Sequence, residues 1–571
     1  MKLAASFALL ELVPEPAAAD GFLRAEGTEI VDESGEPVIL RGMGLGGWML
    51  QEGYMLELPQ LGTQQAIRAN IEALIGPEKT AAFYTAWLDN HTTKADIDAM
   101  AAWGFNSVRL PMHWNLYTLA AEEEPVAGEH TWLEEGFTRT DQLLAWAKAN
   151  GMYVILDLHA APGGQGNDIN ISDRDPAAPS LWDEPAHQEK MIALWRKLAE
   201  RYMDEPNIAA YDIINEPNWG FENPDDRHGC EETKNAPLRD LLVRTTQAIR
   251  EVDRRHIIVI EGNCWGNNYK GVFDDGVWDD NMVISFHKYW NETTRDSIVD
   301  ILKLRDERNM PIWLGETGEN SNDWFSRTVA LVESEGVGWA WWPLKKIRYN
   351  NPLQIAPNDG YLKLLAYWRG EGEKPGAAEA EEALMRFASH DVRYENNLFH
   401  KDVVDALFRV PHSGRPAPFK DHVIDASGGE MAAADFDMGR DDVAYHDLTP
   451  ANYHVSDGGE RVVWNPAMAY RNDGVDLAAS ADGGFFVADM QPGEWLKYTI
   501  TARRAGAYDL TLKTARSGRV SVTLNDDAAG EGPTSSVFKR LRLYEGRNTL
   551  VVKTERGGFD LMSLTFSPEK R

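Results

Sequence analysis

Six polar clusters in this sequence stand at the ends of short apolar runs. They are Arg109 in Val108-Arg109-Leu110-Pro111 with His113 behind it, His159 closing Asp157-Leu158-His159, Asn215-Glu216-Pro217, His287-Lys288-Tyr289, Glu316 in Leu314-Gly315-Glu316-Thr317, and Trp341-Trp342. Two of these groups, Glu216 and Glu316, are carboxylic acids. Such a pair, held about 5 to 5.5 Å apart, can cleave a glycosidic bond in two steps: one attacks the anomeric carbon while the other first gives and then takes a proton. The two acids must titrate differently. Cations and donors such as Arg109 and Tyr289 would keep one ionised, and a less polar setting would keep the other protonated. Asn215 is suited to holding a sugar hydroxyl, and Trp342 to lying beneath a sugar ring.

Residues this far apart meet only if the fold gathers strand ends. Eight β-branched or apolar runs are legible: Val38 to Gly42, Ser107 to Leu110, Tyr153 to Leu158, Ala210 to Ile214, Ile257 to Ile260, Val283 to Phe286, Ile312 to Gly315 and Gly338 to Trp342. Amphipathic stretches separate them, among them Asp141 to Asn150, Gln188 to Met203 and Leu238 to Asp253. Eight strands alternating with helices predict an α/β protein with a (β/α)8 TIM barrel, whose functional groups lie at the C-terminal ends of the strands. A doubly wound open sheet is the alternative. Helical stretches at Ala377 to Phe387 and Lys401 to Phe408 precede a Pro/Gly-rich junction, Pro411 to Pro418. Beyond Ala434 the pattern becomes alternating strands, such as Glu494 to Thr501, Ala507 to Thr514, Val520 to Leu524 and Thr549 to Thr554. The expected organisation is a leader or flexible segment at 1–20, the barrel at 21–410, a linker at 411–430 and an all-β jelly-roll sandwich at 431–571.

The 571 residues carry a formal net charge of −33, which disfavours nucleic acid and anionic membrane surfaces as partners but does not oppose a neutral ligand. The many aromatic residues, 20 Trp among them, offer flat faces for sugar rings. Cys230 and Cys264 permit at most one disulfide and fit no zinc-ribbon or redox spacing. Leu3 to Leu10 followed by Ala17-Ala18-Ala19-Asp20 resembles a signal peptide with a small-residue cleavage site. No other stretch is apolar enough for a membrane span. A metal hydrolase built on His113, His159 and His287 is a rival reading, although no His-x-His or His-Glu-x-x-His spacing accompanies them. A non-catalytic carbohydrate-binding barrel is another, and the presence of both Glu216 and Glu316 argues against it.

The ordered set Arg109, His159, Asn215-Glu216, His287-x-Tyr289, Glu316 and Trp342 resembles glycoside hydrolase family 5 of the cellulase superfamily, over roughly residues 22 to 410. The resemblance implies a retaining mechanism with Glu216 as acid/base and Glu316 as nucleophile, no cofactor for catalysis, and an oligo- or polysaccharide substrate bound with the help of Trp48 and His113. A secreted or periplasmic location, from the leader-like segment, and a monomer are the further expectations. Leu45-Gly46-Gly47-Trp48 with Glu52-Gly53-Tyr54, and His159-Ala160-Ala161-Pro162-Gly163-Gly164-Gln165, are most similar to members acting on β-1,3-glucans, with β-mannan or another β-glycoside as the alternative. The C-terminal segment, including Asp435-Phe436-Asp437, Tyr470-Arg471 and Phe559-Asp560-Leu561, is similar to carbohydrate-binding module family 6. That resemblance implies a stacking aromatic, for which Tyr470 is the candidate, and a structural calcium, for which Asp560 is the candidate ligand. Ala432-Ala433-Ala434 stands where the family has further carboxylates, and Asp526 to Ser536 contains no aromatic residue.

Overall fold

A computed structural model describes residues 21–347, 350–448, 470–481 and 483–569. The leader-like residues 1–20 lie outside the described residues. The chain divides into two compact units: the first runs to Tyr289 and adds Thr294–Glu319 and Leu331–Phe399, and the second takes Trp290–Thr293, Asn320–Ala330 and the chain from His400 onward.

The first unit is built on a closed, all-parallel barrel of eight strands. In chain order these are β1 (Arg41–Gly44), β2 (Ser107–His113), β3 (Tyr153–Ala160), β4 (Ile208–Asp212), β5 (Ile257–Ile260), β6 (Met282–Lys288), β7 (Ile312–Gly318) and β8 (Trp339–Trp342). Each pairs with the next, and β8 pairs with β1 to close the ring. All eight runs read from the sequence are strands; β1 begins three residues later than its apolar run because Val38 to Leu40 lead into the barrel rather than form its ladder.

Period-two alternation explains how one strand serves both core and site. Tyr153 and Ile155 of β3 belong to a buried apolar cluster at the barrel base, with Ile257 and Val259 of β5, Val283 of β6 and Ala340 of β8. Stepping on by two residues along those strands reaches Asp157 and His159, Glu261, Ser285 and His287, and Trp342. The inward face therefore changes from hydrocarbon to polar toward the C-terminal ends. Helices such as Glu134–Ala149, Pro185–Tyr202 and Ala236–Arg250 connect the strands and bury an apolar stripe, for example Leu238, Leu241, Leu242 and Ile249.

The second unit contains two six-stranded sheets that share one apolar core, including Tyr498, Leu550 and Val552 from one sheet and Leu510, Leu561 and Phe566 from the other. Its long strands Trp495–Ala502, Gly506–Ala515, Arg519–Leu524 and Gly546–Arg556 match the runs read from the sequence. Two details differ from expectation. His422–Ile424, inside the expected linker, is a strand paired in parallel with Ile500 to Ala502, and Asp527–Pro533, not among the strands read from the sequence, pairs antiparallel with Arg519–Leu524.

Candidate active site

Arg109 is the centre of the site. Its side chain is fully buried, and its guanidinium donates to Asp212 Oδ2 (3.1 and 2.9 Å), Glu316 Oε2 (2.8 Å), Asn215 Oδ1 (2.8 Å) and Glu261 Oε1 (3.1 Å). Asp157 Oδ2 lies 3.3 Å away. Burial alone would depress an arginine, but Asp157, Asp212 and Glu316 outweigh it, so the charge is fixed. Planar, multidentate donation suits Arg to this position.

Glu316, at the end of β7, receives Arg109 on Oε2 and the Tyr289 hydroxyl on Oε1. One donor thus reaches each oxygen of this carboxyl group. Glu216 follows β4 in a left-handed conformation (φ 47°), an unusual backbone for a residue with a side chain. Its N–H donates to Glu261 Oε2 at 2.7 Å, and its Oε1 lies 2.6 Å from His287 Nδ1. Burial raises the Glu216 carboxyl above the ordinary range, with the Glu316 charge acting in the same direction and His287 opposing it. Carboxylate oxygens of Glu216 and Glu316 and a ring nitrogen of His287 lie within 4.8 Å of one another.

The remaining groups orient these. His159 Nδ1 lies 2.8 Å from Asp157 Oδ2, and its Nε2 is 3.3 Å from Asn215 Nδ2. Its ring stacks on Trp342 at 5.0 Å, and Trp342 Nε1 donates to the Tyr54 hydroxyl at 3.0 Å. The indole lies so close to the β1 backbone that a Cβ on Gly44 would come 2.4 Å from it, which only glycine permits. Gln165 Nε2 donates to the carbonyls of His159 and Asn215, tying the loop after β3 to that after β4. A disulfide, Cys230–Cys264, joins the loops after β4 and β5.

Arg109, His159, Asn215, Glu216, His287, Tyr289, Glu316 and Trp342 are thus brought together. Trp48 is corrected: it is 1% exposed and donates to Leu88 O, so it is a core residue, placed there by the turn of Gly46-Gly47. His113 is buried against Asp173 (3.0 Å) and accepts from the Asn115 N–H. It lines a neighbouring cavity of 460 Å³ with Trp114, Glu122, Gly163, Asp173 and His187, in which no Lys or Arg takes part. His113, His159 and His287 are each paired with a different carboxyl group and, among the described residues, do not converge as metal ligands.

In the second unit, the Tyr470 hydroxyl donates to Asp435, and its ring stacks on Phe485 at 4.7 Å with the Lys420 ammonium 5.0 Å from the ring centre. Asp560 Oδ1 accepts from Arg516 at 2.7 Å and from the Asp489 N–H at 3.0 Å, so this oxygen is engaged by protein donors.

Three buried acids were given no role by the sequence reading. Asp157 and Asp212 lie inside apolar strand runs, where charge is not expected. Glu261 follows β5 directly, and the rule applied to the other strands would have found it. Glu52 is a fourth carboxyl near the mouth; burial, then repulsion from Glu316, Glu319 and Glu216, pushes it well above its ordinary range.

A TIM barrel presenting two adjacent carboxyl groups at the C-terminal ends of its strands is a scaffold suited to a glycosidase hydrolysing O-glycosyl bonds. Residues 69–347 match the model of the Cellulase family (glycosyl hydrolase family 5). The beta-xylosidase of Phanerodontia chrysosporium is 27% identical over 377 residues, covering 60% of this chain and 75% of that protein. Endoglucanase C of Acetivibrio thermocellus is 24% identical over 323 residues, covering 46% of this chain and 86% of the relative. The probable glucan 1,3-beta-glucosidase A of Aspergillus clavatus is 30% identical over 184 residues, 32% of this chain and 41% of that protein.

Proposed function

We propose that this protein is a retaining β-glycosidase acting on β-glucan chains, β-1,3-linked ones first, with Glu316 as nucleophile and Glu216 as acid/base. One observation carries the reading: carboxylate oxygens of the two residues lie within 4.8 Å of each other, too close for the roughly 6.5 to 9.5 Å that an inverting enzyme keeps for its water. Glu316 attacks the anomeric carbon as Glu216 protonates the departing oxygen. The C1–O bond breaks and a glycosyl ester on Glu316 forms. Glu216, now a carboxylate, then takes a proton from water, whose oxygen displaces Glu316 and restores the sugar with its original configuration. Arg109 and Tyr289 balance the changing charge on Glu316.

The relatives named for endoglucanase and glucan 1,3-beta-glucosidase activity support a glucan substrate, and the beta-xylosidase makes xylosides the main comparison. The cavity beside the site, with the Trp114 face and the acceptors Glu122 and Asp173, suits further neutral sugar units. The Cys230–Cys264 disulfide supports a secreted or periplasmic location, and one chain supplies every catalytic group, as a monomer requires. Tyr470 serves the packing of its own unit.

The test is to hydrolyse β-1,3-glucan oligosaccharides and follow the first product by proton NMR. The β-anomer is expected to appear before mutarotation. Initial release of the α-anomer overturns the mechanism. Faster cleavage of xylan or mannan than of any β-glucan overturns the substrate assignment.

A further inference from the structure

The reaction as written does not use Glu261. It is fully buried immediately after β5, and three contacts converge on it: Oε2 accepts the Glu216 N–H at 2.7 Å, and Oε1 accepts Arg109 at 3.1 Å and lies 3.2 Å from His287 Nε2. His287 therefore sits between two carboxyl groups, Glu216 on Nδ1 at 2.6 Å and Glu261 on Nε2. Gly266, in a left-handed conformation (φ 80°), closes over this pair, and a Cβ there would come 3.1 Å from Glu261 Oε2. The loop carrying Gly266 is fixed by Trp265 N donating to Pro217 O at 3.1 Å and by the disulfide at Cys264.

We infer that Glu261 is a positioning residue that keeps a proton on both nitrogens of His287, so that Nδ1 can only donate to Glu216 and the acid's own proton is left on Oε2 for the leaving group. The inference rests on the acid/base role proposed for Glu216. A neutral imidazole has one donor and one acceptor nitrogen. Without a carboxylate at Nε2, the ring can place its single proton there and turn Nδ1 into an acceptor, which would bind the Glu216 proton and hold it away from the substrate. Burial disfavours the imidazolium, but the Glu261 charge, followed by Glu216, more than compensates and raises His287 well above its usual range. His287 and Arg109 in turn hold Glu261 below the usual carboxyl range against the effect of burial. Its grip on the Glu216 N–H also fixes the left-handed backbone that aims the acid.

The test uses the full-length protein, Glu261→Gln and Glu261→Asp, with one aryl β-glycoside of good leaving ability and one alkyl β-glycoside of poor leaving ability. Glu261→Gln is expected to lower kcat/KM on the poor leaving group by up to the ~10²-fold at the lower end of general-acid catalysis, while the activated glycoside changes by less than about threefold. Nitrogen-15 NMR of the His287 ring should show an imidazolium at neutral pH in the parent and a neutral ring in Glu261→Gln. Glu261→Asp, which keeps the charge, should keep the imidazolium and recover part of the rate, and it carries the same comparison if Glu261→Gln does not fold. Equal losses on both glycosides, or an imidazolium that survives in Glu261→Gln, overturns the inference. The NMR readout needs no turnover, so it separates failure of this role from failure of the proposed mechanism.

Discussion

Replacing Arg109 by methionine removes a guanidinium that lies within 3.3 Å of Asp157, Asp212, Glu261 and Glu316 while keeping the length of its apolar stem. Because the arginine is fully buried, water cannot take its place without opening the barrel. Breaking such a buried network from one side costs about 3 to 5 kcal/mol. The loss should depend on pH. Carboxyl groups left without a cation in the folded barrel titrate above their unfolded values, so the variant loses further stability as pH rises through those raised values. The parent behaves oppositely at Glu261, whose lowered value contributes stability above the unfolded range that is lost as pH falls. The first effect narrows the gap between variant and parent as pH falls from about 8 to about 5, and the second adds to it only below the unfolded glutamate value of about 4.3. Urea unfolding followed by tryptophan fluorescence at about pH 8 and about pH 5 reads this directly, with the smaller difference expected at the lower pH. Activity should also fall about 10- to 150-fold from the lost donor to Glu316, since a hydrogen bond to a charged group contributes about 1.5 to 3 kcal/mol. A variant within about 0.5 kcal/mol of the parent, the range of ordinary surface substitutions, or a gap that widens in acid, refutes the account of Arg109.

Glu216 must be protonated to act as an acid, and its raised value keeps it so at pH values where an ordinary glutamate is ionised. kcat/KM should therefore decline as pH rises through that value, and the alkaline limb should vanish on strongly activated aryl glycosides; a limb of equal depth on both substrates contradicts the assignment. Tyr289→Phe removes the hydroxyl donated to Glu316 and should reduce kcat about 10- to 150-fold with the fold intact, as circular dichroism would show; unchanged kcat would remove Tyr289 from the mechanism. Trp114→Ala should weaken kcat/KM on longer oligosaccharides and leave short aryl glycosides unaffected, so equal effects on both would detach the neighbouring cavity from substrate binding.

Most of the barrel and the placement of Glu216 and Glu316 were legible because polar groups begin where an apolar run stops, a boundary visible in one dimension. Glu316 and His287 show this plainly. Asp157 and Asp212 did not, because a charge inside a buried strand becomes intelligible only once Arg109, from another strand, is seen beside it. Trp48 shows the converse: an aromatic next to a glycine-rich turn reads equally well as a sugar platform or as core, and only its donation to Leu88 O decides. The inclusion of Asn320–Ala330 in the second unit was out of reach, since Asn322 is held there by Asp402 and Asp473, far along the chain.

The Cys230–Cys264 link has a practical side. Thiol pairs stay open in a reducing cytosol, so enzyme produced in that setting would leave the cell with the loops after β4 and β5 unfastened, and Gly266 less firmly seated over Glu261 and His287. Two batches of identical sequence could then differ in specific activity according to how each was oxidised, and counting free thiols before any kinetic comparison would tell them apart.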